Sequence, residues 1–328
     1  MEGKFYTGVV CFVAATVISV MSATSAAAAD DKEYPNRTLT IITGSGSGGG
    51  TDIFARTIAL PMRRAFKQDI IVKNVPGAAG AIGMAAVAEL PADGYTILAL
   101  GTDMMVTDAF KRSQYSRNDF IPIARVQQDQ SMLWVKTDGP FKSIQDVIEH
   151  AKNNPGKQKW GITQPAGFDE VLVSKFAMEA GFQMTTVPFN NAPETHAALL
   201  GGHVDVAHEE PGAIIGLYEA GKIRPLVVMS EKRLPKVKDV PTAVELGYDV
   251  TSGVWRALFF KKGVDPKMVK VMEEAVKKAM GNSVYQAVAE KRLLDQRDGF
   301  LGSEDFKVFL DKEAELYRTI LKQLGHIK

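Results

Sequence analysis

A glycine-rich segment near the start of the chain constrains the fold more than any other feature of the sequence. Residues 44–50 (GSGSGGG) follow a β-branched run, Thr38–Thr43, and precede Thr51–Phe66, whose apolar residues recur at helical spacing. The chain must therefore turn sharply from a strand into a helix, and glycine permits the backbone conformations that such a turn requires. This strand-turn-helix start predicts the first unit of an α/β sheet.

Strands and helices continue to alternate after this turn. Strand and helix signals over residues 69–100 complete a β-α-β-α-β block, and the pattern restarts at Ile121–Gln127. Alternation of this kind is typical of a parallel sheet with helices on its faces. A length of 328 residues fits two domains of about 150 residues each. We therefore predict two α/β lobes, with the chain crossing between them at Gly101–Phe110 and at Asp249–Arg256.

The first 29 residues differ in composition from the rest of the chain. Lys4 precedes an apolar stretch, Gly8–Met21, and small residues lead to Ala27–Ala29, which is the pattern of a cleaved secretory signal peptide. An uncleaved anchor is the alternative, but the stretch is shorter than the ~20 apolar residues that span a bilayer. Cys11, the single cysteine, lies in this segment, so the exported chain would carry no disulfide and no thiol nucleophile.

The charge balance of the chain excludes one class of function. There are 39 basic and 38 acidic residues, and the formal net charge is +1. A nucleic-acid-binding protein usually carries a basic patch interleaved with aromatic residues, and no such run occurs here. We therefore expect no nucleic-acid partner.

The glycine-rich loop predicts an anion site built from main-chain amides. Successive N–H groups at a turn into a helix face outward, and the positive end of the helix favours a carboxylate. A dinucleotide site would need an acidic residue at the end of the second strand, where the chain has Asn74. The loop also lacks the lysine of a phosphate-binding P-loop and the spacing of a nucleophile elbow. A carboxylate cradle and a flexible turn without a ligand both remain open.

Several other residues are candidates for ligand contact. Thr102 follows a strand at its carboxyl end, and Arg256 would bind a carboxylate or pair with one of the adjacent acids Glu209 and Glu210. Phe168 would either stack on an aromatic ligand or plug the cleft. The two glutamates would repel a polyanion, so we hypothesise that they favour a ligand with an amino group or ring nitrogen.

The histidines predict neither a metal site nor an active site. His203 and Asp205 would share one strand face while His208 lies on the other, and a metal site needs three or four convergent ligands. No set of nucleophile, base and orienting residue is recognisable near the glycine loop. We therefore expect no metal, no cofactor and no enzyme activity, with a secreted hydrolase or isomerase as the competing hypothesis.

Several segments of the chain resemble segments of one protein family and occur in the same order. They are residues 48–56 (GGGTDIFAR), 74–83 (NVPGAAGAIG), 91–96 (PADGYT), 200–205 (LGGHVD), 220–226 (AGKIRPL) and 239–242 (DVPT). The mature chain resembles the extracytoplasmic solute-binding proteins of tripartite tricarboxylate transporters along nearly its whole length.

This resemblance implies a two-lobe, type II periplasmic binding protein fold with the ligand in a cleft between the lobes. It implies a first lobe of residues 30–131 plus 256–328, a second lobe of residues 132–255, and a facing loop at Thr163–Asp169. It further implies a monomer that binds a di-/tricarboxylate or aromatic acid in the periplasm and delivers it to integral membrane subunits. The predicted ligand-binding residues are Ser45, Gly46, Ser47, Gly48, Gly49, Gly50, Thr51, Thr102, Gln164, Ala166, Gly167, Phe168, Asp169, Glu209 and Arg256.

The chain also departs from the family pattern at the predicted site. Residues 45–47 (SGS) replace an apolar residue and a proline, and the facing loop contains Phe168 where small polar residues are usual. These departures leave the fold unaffected and leave the ligand open. A sensing subunit that presents its closed form to a membrane kinase would use the same binding chemistry and is the alternative function.

Overall fold

The computed structural model describes residues 34–163, 165, 167–251, 253–296 and 298–328. The predicted signal peptide, residues 1–29, lies outside these ranges. Within them, no helix combines the length and the apolar character that crossing a membrane would require.

The first lobe is built on a mixed sheet in the order β11-β4-β10-β3-β1-β2. β1 pairs in parallel with β2 and β3, while β10 lies antiparallel between β3 and β4. The strands are β1 Leu39–Thr43, β2 Ile70–Asn74, β3 Thr96–Gly101, β4 Phe120–Gln128, β10 Trp255–Lys261 and β11 Leu301–Gly302.

The second lobe is built on a separate sheet in the order β7-β6-β8-β5-β9. β6 is parallel to β7 and β8, and β5 is antiparallel to β8 and β9. The strands are β5 Met132–Lys136, β6 Lys159–Thr163, β7 Thr185–Phe189, β8 Val206–Glu209 and β9 Ile223–Val228.

Helices cover both faces of each sheet. Along β3, Ile97 and Ala99 pack into one apolar cluster while Leu98 and Leu100 pack into another, as the alternation of side chains along a strand requires. The helices are α1 Gly50–Phe66, α2 Ala81–Ala88, α3 Asp103–Ala109, α4 Ile144–Asn153, α5 Phe168–Ala180, α6 Ala192–Leu200, α7 Pro211–Glu219, α8 Pro266–Met280, α9 Ser283–Lys291 and α10 Ser303–Gln323.

The chain crosses between the lobes at two neighbouring segments. It leaves the first sheet after β4, enters the second at β5, and returns to the first sheet at β10. The two crossings are joined where the Asp129 amide donates to the Val254 carbonyl at 2.7 Å. A side chain at Gly253 would place its Cβ 2.1 Å from the Asp129 carbonyl oxygen, so only glycine allows the crossings this close together.

The prediction that the chain leaves the first lobe at Gly101–Phe110 was wrong. That segment forms the turn into α3 and α3 itself, after which the chain returns to the first sheet as β4. The physical reason is the late strand β10, which inserts between β3 and β4 and can do so only if both belong to one sheet.

A close backbone approach holds the glycine-rich loop in place. The chain just after β1 lies against α2. A Cβ on Gly83 would lie 2.9 Å from the Gly44 Cα and 3.2 Å from the Val75 carbonyl oxygen, which shows how closely the backbones approach. The packing of α2 against the loop therefore depends on two residues without side chains.

We predict that Gly83→Ala lowers the free energy of unfolding. The overpacking against backbone costs ~1–3 kcal/mol, which exceeds the gain of up to ~1 kcal/mol in helix propensity. Gly216→Ala is the matched control, since Gly216 lies inside α7 with nothing within 4 Å of its Cβ position, and it should be neutral or stabilising. Denaturant unfolding measures both, and an equal gain in the two variants would contradict the close approach.

Candidate functional site

A cavity of about 330 Å³ lies between the lobes. Its walls follow the carboxyl ends of strands in both sheets, which is where ligands collect in α/β folds. The first lobe contributes the β1–α1 loop, the β3–α3 turn and the end of β4, and the second contributes the N-terminal ends of α5, α6 and α7. This volume is at the lower end of the range of ~300–1,000 Å³ for small-molecule sites, so the cavity suits a small solute.

The β1–α1 loop is ordered by its own polar groups. The Asp52 carboxylate accepts from the Gly48 amide at 2.9 Å and from the Asn74 side-chain amide at 2.8 Å. The Asp52 amide in turn donates to the Ser45 hydroxyl at 3.1 Å. Burial would raise the pKa of Asp52, but hydrogen bonds from Arg56, Gly48 and Asn74 outweigh it and lower that pKa. Asp52 is thus charged although it is only 2% exposed, and its hydrogen bonds fix the conformation of the loop.

The first turn of α1 is directed at the cavity. Within the described ranges, no protein acceptor is bonded to the amides of Gly50 and Thr51, which are the first two residues of the helix. Unbonded amides at a helix N-terminus, together with the helix dipole, attract an anion.

Arg256 from β10 packs directly against this helix end. A Cβ on Gly50 would lie 2.2 Å from the Arg256 Nη2, so the absence of a side chain at Gly50 lets the guanidinium reach the loop. Arg256 is 8% exposed, and its buried Nε has no hydrogen-bond partner among the described residues. The helix end and the guanidinium therefore place two sources of positive potential side by side.

Arg256 also connects the two lobes. Its Nη2 lies 3.2 Å from Oε2 of Glu210, which precedes α7 in the second lobe. Burial by itself would lower the pKa of Arg256, but the carboxylates of Glu210 and Asp129 outweigh this effect and raise it. The arginine is therefore a permanent cation. Of the two acids that the sequence analysis considered as its partner, Glu209 and Glu210, it pairs with Glu210.

Asp103 makes a second connection across the cleft. Its Oδ1 accepts from the Phe168 amide at 3.1 Å, so a carboxylate from α3 in the first lobe meets the first turn of α5 in the second. Burial raises the pKa of Asp103 to about 6, the Phe168 amide opposes this rise, and the neighbouring Asp169 adds to it. The sequence analysis missed this role, although Asp103 directly follows the predicted residue Thr102.

We define the acidic floor of the cavity as Asp129, Glu209 and Glu210. The Glu209 Oε2 lies 2.9 Å from the His196 Nε2, and burial lowers the pKa of that histidine, with Glu210 opposing, so His196 carries little charge at neutral pH. Burial, with repulsion from Glu210, raises the pKa of Asp129 to about 8 and raises that of Glu209 well above its ordinary value. Two of the three floor carboxyl groups are thus held where burial and a neighbouring acid disfavour their charged forms.

The structure brings most of the predicted site residues together. Those that line the cavity are Ser45, Gly46, Ser47, Gly48, Gly49, Gly50, Thr51, Thr102, Phe168, Asp169, Glu209 and Arg256. Gly167 is the buried N-cap of α5 and is not among the lining residues. Gln164 and Ala166 lie outside the described residues, so their contact with a ligand stays a prediction.

Two of these lining residues are engaged within the protein. The Thr102 hydroxyl accepts from the Trp255 amide at 2.9 Å and thereby fixes β10 against the β3–α3 turn. Phe168 is 4% exposed and packs with the rings of His208 and Tyr317, at centroid distances of 5.9 and 6.3 Å. Of the two roles considered for Phe168, the packed arrangement matches the plug.

Sequence reasoning did not include several lining residues in the predicted site. Asp129 directly follows β4, His196 lies in α6, and Arg292 directly follows α9, and neither helix carries a ligand-binding motif. Asp129 could have been suspected from its place after a strand, but no local pattern identifies the other two. Across the described ranges, no group of three or more His, Cys, Asp or Glu side chains is arranged to hold a metal ion.

Comparison with known proteins matches this architecture. Residues 54–325 match the family model described as "Tripartite tricarboxylate transporter family receptor". A relative from Cupriavidus necator, named "UPF0065 protein in gbd 5'region", is 30% identical over 334 residues, covering 100% of this chain and 99% of the relative.

Solved structures show the same fold. A TctC solute-binding protein from Polaromonas, without ligand, has a TM-score of 0.72 at 28% identity, covering 89% of this chain and 100% of its own. An R. palustris protein solved with adipate has a TM-score of 0.80 at 24% identity, covering 89% of this chain and 99% of its own. The predicted fold class, a two-lobe α/β periplasmic binding protein with a cleft between the lobes, is confirmed.

We predict that Asp103→Asn changes stability in a pH-dependent manner. The pKa of Asp103 is about 6 in the folded protein and 3.8 ordinarily, so the folded state binds the proton more tightly. The contribution of Asp103 to stability therefore falls as pH rises from 4 towards 7, as the buried carboxyl group ionises, and the amide variant escapes this loss. The variant's free energy of unfolding relative to wild type should rise by about 1–3 kcal/mol over this interval.

Denaturant unfolding at several pH values tests this prediction. Asp138→Asn removes one carboxylate from an exposed turn and provides the baseline for a loss of charge alone. A difference between Asp103→Asn and wild type that stays constant from pH 4 to pH 7 would show that the carboxyl group is not buried as described.

Proposed function

Since the chain belongs to the tripartite tricarboxylate transporter receptor family, we propose that it captures a small organic carboxylate in the cleft and performs no chemistry on it. The observation that carries this proposal is the first turn of α1, whose free amides lie beside the buried guanidinium of Arg256. A carboxylate placed there would accept charge-assisted hydrogen bonds in a setting largely removed from water.

Ligand capture would depend on closure of the two lobes. The contacts of Arg256 with Glu210 and of Asp103 with the Phe168 amide join the lobes at two points of the cavity wall. A ligand that bridges the walls adds further contacts to this arrangement and shifts the population towards the closed form. Closure would then be the signal that the membrane subunits read.

Transport is the role we propose for this captured ligand. Cleavage of the predicted signal peptide would release the chain into the periplasm, where it would act as a monomer and deliver its ligand to integral membrane subunits. The related R. palustris protein was solved with adipate, a dicarboxylate, which supports an organic acid as the class of ligand. We propose a first lobe of residues 30–131 plus 256–328 and a second lobe of residues 132–255. The division of the strands between two separate sheets supports these bounds.

The contacts of the histidines favour binding over catalysis. The His196 Nε2 lies 2.9 Å from the Glu209 carboxylate, and the His208 Nδ1 lies 3.2 Å from the Asp169 Oδ1. Among the described residues, no serine or threonine hydroxyl is hydrogen-bonded to either imidazole, whereas the general base of a hydrolase would lie within reach of a nucleophilic hydroxyl.

We predict that Gly50→Ala weakens ligand binding and leaves the protein folded. The new Cβ would displace the Arg256 guanidinium, which is the movable end of a long side chain, so the backbone need not shift. Loss of one charge-assisted contact should raise the Kd about tenfold or more. A thermal-shift screen against dicarboxylates, aromatic acids and amino acids, followed by calorimetry on the hits, measures this change.

The control for this experiment is Gly216→Ala, which adds a methyl group in α7 where nothing lies within 4 Å. A ligand at 100 times its Kd should stabilise the wild type and this control by about 2.7 kcal/mol. Unchanged affinity in Gly50→Ala would remove the assignment of the carboxylate to the end of α1.

We also predict that Gly212→Ala impairs closure of the cleft. A Cβ on Gly212 in α7 would lie 2.1 Å from the Arg292 carbonyl oxygen in the first lobe, so the lobes could not approach as closely. Affinity should fall about tenfold or more, and small-angle scattering should show less ligand-induced compaction. Gly216→Ala, one turn further along α7, should behave as wild type, and equal compaction in both variants would contradict a contact made on closure.

A further inference from the structure

We propose that the cleft selects a small ω-amino acid, with its carboxylate at the first turn of α1 and its ammonium group on the acidic floor. This inference rests on the proposed function and deepens it, because it names the charge pattern of the captured carboxylate. Three observations carry it: a vacant anion position at the first turn of α1, an anion position at α5 taken by the protein's own Asp103, and an excess of buried carboxyl groups over arginines in the cavity wall.

The vacant anion position lies in the first lobe. Among the described residues, nothing accepts from the Gly50 and Thr51 amides, and the Arg256 Nε is both buried and unpartnered. Arg256 is 8% exposed, lines the cavity and has one donor without a partner. This arrangement suits an acceptor that comes from outside the chain. A ligand carboxylate fits this position.

The corresponding position in the second lobe is already filled. The Phe168 amide in the first turn of α5 donates to Asp103, and Asp169 lies beside it. At α6, the Asn191 side chain accepts from the Glu194 amide at 3.0 Å, and α7 begins with Pro211, which has no N–H group. A second ligand carboxylate placed at the end of α5 would therefore meet the carboxyl groups of Asp103 and Asp169.

The acidic floor supplies the complementary charge. Asp129 and Glu209 are 4% and 5% exposed and line the cavity, and Glu210 is bonded to Arg256. The other lining guanidinium is that of Arg292, and Asp169 pairs with His208, so the two arginines are left with the three floor carboxyl groups and Asp103. An ammonium group would compensate this excess of carboxyl groups and would donate hydrogen bonds to Asp129 or Glu209.

The test compares matched ligands by calorimetry on the exported chain. The amino acids γ-aminobutyrate, δ-aminovalerate and ε-aminocaproate are paired by length with the dicarboxylates succinate, glutarate and adipate, and with butyrate, valerate and caproate. We expect the best amino acid to bind about tenfold or more tightly than both of its partners, because it alone offers a donor to the buried floor.

Variants assign the preference to the proposed residues. Asp129→Asn and Glu209→Gln should each reduce the ratio of the affinity for the amino acid to that for the dicarboxylate about tenfold. Because there are two variants, the test still works if one of them fails to fold. Asp103→Asn keeps an acceptor for the Phe168 amide but removes a charge, so it should increase the affinity for the dicarboxylate. Asp138→Asn, in an exposed turn, removes one charge outside the cleft and should leave the ratio unchanged.

The outcomes separate this inference from the proposed function. A dicarboxylate that binds as tightly as its amino counterpart at every length would overturn the inference, because the floor would then be donating protons to a second carboxylate. Binding of the monocarboxylates alone would also overturn it, yet both results would leave carboxylate capture intact. Failure of all nine compounds to bind would count against capture itself, and with it against the inference.

Discussion

The contact of Arg256 with the first turn of α1 is the interaction on which the rest of the cleft depends. The guanidinium can lie there because Gly50 has no side chain, and it can remain charged there because Glu210 and Asp129 surround it. A buried cation without such partners would be strongly destabilising. The same arginine lines the cavity and joins the second lobe, so in the proposed function one side chain would couple recognition of an anion to closure of the lobes.

The charge of the cleft is balanced across the lobe boundary and not within either lobe. Glu210 of the second lobe meets Arg256 of the first, and Asp103 of the first lobe meets the Phe168 amide of the second. Opening the cleft would expose all four groups to water and relieve the burial that raises the pKa of Asp103 and Asp129. The arrangement therefore keeps buried carboxyl groups in an unfavourable setting, which under the proposal above a ligand of suitable charge would relieve.

Local sequence patterns located the glycine-rich loop and the acids Glu209 and Glu210 of the cavity wall, but they missed Asp129 and the role of Asp103. The glycine-rich loop could be located because a strand, a run of glycines and a helix are contiguous in the chain, and their chemistry is carried by the backbone. Asp103 and Asp129 belong to no motif. The role of Asp103 arises from the Phe168 amide, 65 residues away, and that of Asp129 from the second-lobe glutamates, about 80 residues away. The incorrect crossing at Gly101–Phe110 has a similar origin, since it depended on a strand, β10, that the chain adds only after completing the second lobe.

The sequence by itself determined the alternation of strands and helices, the amide-rich turn at the end of β1, and the family. These features follow from periodicity and from residues that are neighbours along the chain. Tertiary structure alone decided which carboxylate pairs with Arg256, which one occupies the end of α5, and which remain uncompensated in the cavity. Electrostatic energy depends on distance and burial, and two lobes that close on one another set both quantities for residues far apart in sequence.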